Sequence, residues 1–258
     1  MNTCGSILQL WRKKRRYSQL ELALDAGLSS KHLSFIETGR SIPSRNMILK
    51  LDQFLSLPRC ELNRVLHSAG YSPKYTELME SHEDLKPVFT ALDRIIANQK
   101  PYPAFVLDKY WNVVRSNSSM NNLLSNLGMT HHNNIIDALT DVEFDKSQIE
   151  NYNEVITQLL SRLKSEITLS ADDEKLNQLE RSLTTSLPLG ELFESTSPVL
   201  NTVFNLSGKK LSLFSTIVEL GSVQDISIGK FKIELMFPLN SDTESYFKES
   251  TEVMSMVN

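Results

Sequence analysis

The chain has 258 residues, 40% of them hydrophobic and 22% charged, and a net charge of −4. That length suits one large domain or two ordinary ones, and the composition is globular. Two cysteines, Cys4 and Cys60, provide no disulfide framework and fit a reducing cytosol. Without an apolar run near 18 residues, or one behind a basic start, neither membrane spanning nor secretion is expected, and the expected location is cytoplasmic.

The charge is unevenly placed. Residues 1–75 carry twelve Lys or Arg against five Asp or Glu, a net +7; the remainder carries fifteen against twenty-six, a net −11. A basic first quarter on an acidic remainder suggests a polyanion-binding module joined to something of another kind.

In chain order, Ser6 to Arg16 reads as a first helix anchored by Leu8 and Trp11 and ending in the basic run Lys13-Lys14-Arg15-Arg16. Those cations favour a helix C-terminus and also attract phosphate. Ser18 with Glu21 forms a capping box that opens a second helix, on which Leu20, Ala23 and Leu24 recur at helical spacing. Gly27 ends it, and Ser29 caps a third helix from Ser30 to about Thr38, with Leu33 and Ile36 facing inward. Two short helices joined by a tight Gly-containing turn make a helix-turn-helix.

With Leu33 and Ile36 committed to the core, Ser30, Lys31 and Ser34 are left outward, where a short helix can meet base edges in a major groove. Gln19 lies in the first turn of the preceding helix, a phosphate-gripping position. Arg40 and Arg45 flank a loop that would meet the DNA backbone, and Ser44 caps a fourth helix whose apolar face is Ile48, Leu51 and Leu55. Pro58 breaks that helix, and Cys60 to Ala69 forms a fifth. Arg12 stands at a distance that could bring it to Glu37 behind the recognition helix, as an orienting ion pair. An ordinary αα-hairpin is the competing reading.

Several runs carry a family resemblance: Trp11-Arg12, Ser18-Gln19, Ala26-Gly27-Leu28-Ser29, His32 through Ser41, Pro43-Ser44-Arg45, Ala69 through Pro73, Ala91-Leu92-Asp93, and Pro101-Tyr-Pro-Ala104 through Trp111-Asn112. Together they resemble the Cro/C1-type (XRE) helix-turn-helix regulators, in particular those with an MmyB-type C-terminal domain. The resemblance is dense over residues 6–117 and thin beyond. It implies a bacterial-type transcription regulator that binds double-stranded DNA as a homodimer, with a PAS-like ligand-binding domain behind. By the same resemblance, Gln19 and Arg40 contact phosphates, Ser30, Lys31 and Ser34 face bases, and Arg12 pairs with Glu37. Many members carry Gln where this chain has Phe35, so amide readout of adenine does not transfer. Phe35 either packs or touches a thymine methyl; His32 is a DNA contact or a half-exposed filler.

The fold expected is mainly α with a second, α+β domain. A five-helix domain over 1–72 is followed by a connector and linker helix over 73–100, in which Pro87–Asn98 bridges domains or supports a dimer. A PAS-like domain spans 101–240, and a loosely ordered acidic tail spans 241–258. Within the second domain, Ala104–Asp108 and Trp111–Ser116 read as a hairpin, Asn117 caps a helix, and Ile149–Leu169 and Asp173–Leu187 read as longer helices. From Val199 the period changes to two; Phe231, Ile233 and Leu235 alternate with Lys230, Lys232 and Glu234, as in half-buried strands.

The second domain shows no HExxH, GxSxG, glycine-rich phosphate loop or CxxC, so an enzyme is the weakest of three readings. His131-His132 is the one metal-like item, and adjacent histidines point apart. No cofactor-ligating residue stands out, and no metal is expected. Phe105, Leu107, Trp111, Val113, Phe214, Phe231 and Ile233 are candidates to line a cavity for a small apolar ligand. The resemblance makes a fatty-acid-like ligand plausible, although the family's usual Trp and His-Asp pattern is replaced at 192–200, where the chain reads Phe193-Glu-Ser-Thr-Ser-Pro198. The alternative is a C-terminal domain used only for dimerisation or for binding a protein partner.

Overall fold

In a computed structural model, residues 3–75, 83–169, 173–188, 201–206, 208–220 and 231–255 are described. Contacts divide the chain near residue 78 into two units. The first holds five helices: α1 (Cys4–Lys14), α2 (Gln19–Asp25), α3 (Ser30–Glu37), α4 (Arg45–Leu55) and α5 (Arg59–Ser68). The hydroxyls of Thr3, Ser18, Ser29 and Ser44 each accept an N–H at the start of α1 to α4, satisfying groups that a helix terminus leaves free. The Ser18–Glu21 capping box is present in full.

The core of this unit is Leu8, Trp11, Leu22, Ala23, Leu33, Ile36, Ile48, Leu51, Leu55, Leu62 and their neighbours. One expectation fails on α2. Leu22, Ala23 and Ala26 face the core, while Leu20 and Leu24 are 61% and 71% exposed. The spacing of Leu20 and Leu24 is helical, but so is that of Leu22 and Ala26, and the inward stripe is the second.

Gly5 shows how tightly the helices close. A Cβ there would lie 2.0 Å from the carbonyl oxygen of Ile36, so the backbone of α1 rests directly on the last turn of α3. Arg15, from the basic run, donates from Nε to Leu55 O and from Nη2 to Ser56 O, both at 2.8 Å. It thereby satisfies carbonyls at the end of α4, work a helix C-terminus asks of a cation.

The second unit is α+β. After a short 3₁₀ turn come α6 (Lys86–Asn98), β1 (Ala104–Leu107), β2 (Val113–Ser116), α7 (Ser118–Asn126), α8 (Ile135–Thr140), α9 (Tyr152–Leu169) and α10 (Glu174–Ser186). Then follow β3 (Asn201–Leu206), β4 (Lys209–Glu219), β5 (Lys232–Pro238) and α11 (Ser241–Ser255). The strands form one antiparallel sheet in the order β2-β1-β5-β4-β3. Gly208, at φ +80°, takes the left-handed conformation just before β4 begins.

Over β1 and β5 both faces of the sheet are covered. Phe105, Leu107, Phe204, Leu206, Leu211, Leu213 and Met236 point to one side and join the apolar stripes of α7 to α10 in a single core. α6 covers the other, with Phe89 edge-on to Phe231 at 5.8 Å. Thus the helix expected to be a linker packs on the sheet, fixed also by Asn117 donating to Ile96 O at 3.0 Å and Gln99 donating to Met236 O at 2.8 Å.

The tail differs too. Residues 241–255 are helical, Thr243 and Phe247 are buried, and Thr243 Oγ1 accepts the N–H of Ser212 at 2.9 Å. Two apolar and aromatic anchors, Tyr246 and Phe247, outweigh the acidic composition that suggested looseness. The 192–200 segment, where the sequence departs from its family, lies outside the described residues.

Candidate nucleic-acid interface and ligand cavity

Glu37, at the last turn of α3, is the hub of the first unit. Arg12 grips it with two bonds, Nε to Oε1 at 2.6 Å and Nη2 to Oε2 at 2.9 Å, and both side chains are buried. Gln19 adds a bond to Oε2 at 2.7 Å and Gln9 another at 3.3 Å. Arg12 also donates to Tyr17 O at 2.8 Å. Burial would raise the Glu37 carboxyl, but hydrogen bonds from Arg12 and Gln19 outweigh it and hold the carboxyl below its ordinary range. One carboxylate therefore locks α1, α2 and the recognition helix together.

Around this hub lie the side chains that the spacing set outward. Ser30, Lys31 and His32 are exposed along the start of α3, and Ser34 and Phe35 are half-buried. Arg40, Ser44 and Arg45 are exposed beyond its end. Phe35 lies between two cations, Lys31 Nζ at 5.7 Å and Arg40 Cζ at 5.8 Å from its ring centre. At those distances the ring attracts both and restricts where they reach. The side chain of Gln19 is placed differently from its expected phosphate role: its amide is directed at Glu37. Sequence reasoning missed Gln9 and Gly5. A glycine three residues before Leu8, placed inside the helix by its start at Cys4 where the sequence reading began at Ser6, was the available signal for a close approach.

The second unit holds a cavity of about 70 Å³ between the sheet and helices α7 to α9. That is several times the ~10–15 Å³ a single water requires. Phe105 and Met236 line it from the sheet, Leu123 and Leu127 from α7, Leu139 from α8, and Val155 and Leu159 from α9. Met120 and Met129 also line it, side chains able to adapt to different occupants. Thr202, Ser215 and Glu234 bring the polar groups.

Of the seven lining residues read from the sequence, only Phe105 is on the wall. Phe214, Phe231 and Ile233 alternate with Ser215, Glu234 and Met236, and it is the latter set that faces the cavity; Phe231 instead meets α6. Leu107 and Trp111 are buried, and Val113 half-buried, in the same core but off the wall. The alternation was read correctly as a strand, and the polar side of β5 was wrongly given to solvent.

That polar side is a partly buried ionic cluster in which Glu234 is the buried member. Glu234 pairs with Arg162 Nη1, and Lys232 with Glu166. Trp111 donates from Nε1 to Glu166 at 3.0 Å, with Arg162 Cζ at 4.5 Å and Lys232 Nζ at 4.9 Å from its ring centre. Burial pushes the Lys232 ammonium below its ordinary value, with Glu166 pulling the other way. Trp111 sits at φ +67°, a conformation costly for a bulky residue, fixed by turn bonds such as Trp111 N–H to Asp108 O at 3.1 Å. Among the described residues, no cluster of His, Cys, Asp or Glu could hold a metal. His132 is instead 2.5 Å from Asp141. No described helix is long and apolar enough to cross a membrane.

Two family models match. Residues 8–62 match a helix-turn-helix model, and residues 88–246 match a model described as the MmyB-like transcription regulator ligand binding domain. A solved chain titled "Structure of an RNA-binding Light-Oxygen-Voltage Receptor" is 11% identical at a TM-score of 0.26. The alignment takes in 96% of this chain and 62% of that one, too weak a likeness to carry an argument. No protein of curated function matches. With its ligand-domain match covering more than half of the residues, behind a helix-turn-helix, this chain belongs to the MmyB-like transcription regulators, DNA-binding proteins with a ligand-binding domain.

Proposed function

We propose that the chain binds a specific duplex sequence as a homodimer and that occupancy of the second unit's cavity by a small apolar ligand, fatty-acid-like in its chain, modulates that binding. The observation that carries the first part is the arrangement of α3: its inner face is locked through Glu37, and Ser30, Lys31 and His32 stand free along its start. Lys31 suits a guanine edge, Ser30 and Ser34 offer weaker contacts, and Arg40 and Arg45 suit phosphates. The Phe35 ring takes the place of an amide reader and steers the two cations beside it.

A dimer would read two half-sites about one helical turn, roughly 34 Å, apart. The element order of the second unit, two strands, helices, then three strands, supports a PAS-like sensor. Selection of bound fragments from the source genome, followed by titration of the winning duplex, tests the reading. Binding should weaken steeply with salt and be lost in a Lys31→Ala, Arg40→Ala double variant. Unchanged affinity in that variant would remove the assignment. Denaturing extraction and mass spectrometry of the purified protein test the ligand.

A further inference from the structure

We infer that Phe35 reads the C5-methyl group of a thymine, within about two base pairs of the guanine that Lys31 addresses. This rests on the duplex-binding reading above and adds a specificity determinant to it. The place of Phe35 in the fold is not that of a packing residue. Its neighbours Leu33 and Ile36 are fully buried. Among the described residues, the first unit's core and the half-buried side chains packed on it include Leu28, Met47 and Phe54 but not Phe35. Phe35 stands one turn after Lys31 on the outward side of α3, half-buried, and what flanks its ring is cationic.

The chain beyond α3 keeps it there. Arg40 and Ser41 both donate their backbone N–H to Phe35 O, at 2.8 and 3.1 Å, and the Arg40 side chain comes back over the ring. An apolar surface is thereby set between the cation that suits a base edge and the one that suits a phosphate. When both engage DNA, the ring is carried against the groove.

A phenyl ring neither donates nor accepts an ordinary hydrogen bond. Set against a purine edge or the cytosine amine, it would strand polar groups of the base, at a cost. Of the four bases, thymine alone offers the major groove an apolar group, its C5-methyl. The 5.7 Å from Lys31 Nζ to the ring centre is under two base-pair rises of about 3.4 Å, which sets the spacing of thymine from guanine.

The test replaces each thymine of the selected duplex in turn by deoxyuridine, which deletes the methyl alone, and titrates the full chain. One thymine position per half-site should be sensitive. Affinity should fall about fourfold for one half-site and about 15-fold for both, the effect of withholding one and two methyl groups from burial. The salt slope should stay the same, since no phosphate contact is touched. Phe35→Ala should bind the thymine and uracil duplexes alike. Phe35→Gln serves beside it should the alanine variant not fold, and should exchange the methyl dependence for a preference for adenine. A packing role predicts otherwise: both variants lose thermal stability, weaken on every duplex similarly and keep the thymine preference. That result overturns the inference, as does a selected duplex in which no thymine near the guanine required by Lys31 is sensitive. Failure to select any duplex overturns the DNA-binding reading and this inference with it.

Discussion

Replacing Glu37 by Ala tests whether the buried hub holds the recognition helix. The substitution removes both charge-assisted bonds from Arg12 and the amide bonds from Gln19 and Gln9. Arg12 remains buried, keeping its bond to Tyr17 O but without a partner charge. Stranding one member of a buried pair costs about 3–5 kcal/mol. A unit of this size has a stability of roughly 4–11 kcal/mol at ~0.05–0.15 kcal/mol per residue, so the loss is a large part of the total. Native-state hydrogen exchange on the full chain reads it locally. Protection of the Leu33 and Thr38 amides, which bond Ser29 O and Ser34 O, should fall by about two to four decades. An Arg12→Met, Glu37→Leu double variant removes both charges and should stay within about 1.5 kcal/mol of the parent. If Glu37→Ala costs under about 1 kcal/mol, or both variants lose equally, the pair is solvated and the reasoning fails.

Further outcomes follow from the same geometry. Gly5→Ala drives a methyl onto the Ile36 carbonyl, so it should destabilise the first unit by about 1–3 kcal/mol or more and weaken operator binding, as thermal unfolding and titration would show. Because the Glu37 carboxyl is held below its ordinary value in the folded state, its contribution is present above the ordinary carboxylate range near pH 4.3 and is lost as pH falls through the lower folded value. Acid titration of the Glu37→Gln variant should therefore show a shallower loss below about pH 4.3. Arg40→Ala alone should reduce the salt slope of DNA binding by about 1 and weaken all duplexes similarly, whereas Lys31→Ala should change which duplex is preferred. Burial pushes the Cys4 thiol up to about 11, so Cys4 should resist alkylation in the folded chain at pH 8 and react only on unfolding, as mass spectrometry would record.

The first unit was largely legible because its signals are local. Caps, glycines and the outward set lie within a few residues of each other, and the Ser18–Glu21 box needs nothing beyond its own helix turn. The exception was α2, where two helical stripes satisfied one periodicity and only tertiary packing chooses between them. The second unit was legible as elements but not as a site. Period two identifies β5, yet which side is wet depends on α6 and α9, more than 60 residues away in sequence. Covering both faces buries Glu234 and turns its side toward the cavity, and the rule that charged residues face solvent then misassigns the whole strand. The tail was misread for a related reason: its acidic composition is a property of one face of α11, while Thr243 and Phe247 carry the other.

Each unit thus contains an Arg–Glu pair whose carboxylate is buried and which hydropathy conceals, and the two pairs are not equivalent. Around Glu37 the bonds are closed: Arg12 presents Nε and Nη2 to the carboxylate and Nη1 to Tyr17, while two amides complete the acceptor. The consequence of that pair is orientation, and substitution there should appear in stability and in DNA register. Around Glu234 the arrangement is open. The carboxylate borders a cavity lined mostly by apolar side chains, and its Arg162 partner keeps Nη2 buried without a bond. A buried group left incompletely satisfied lowers the cost of admitting a molecule that supplies the missing contact. Substitution at Glu234 should accordingly be read in which ligand the cavity accepts, beyond any effect on folding.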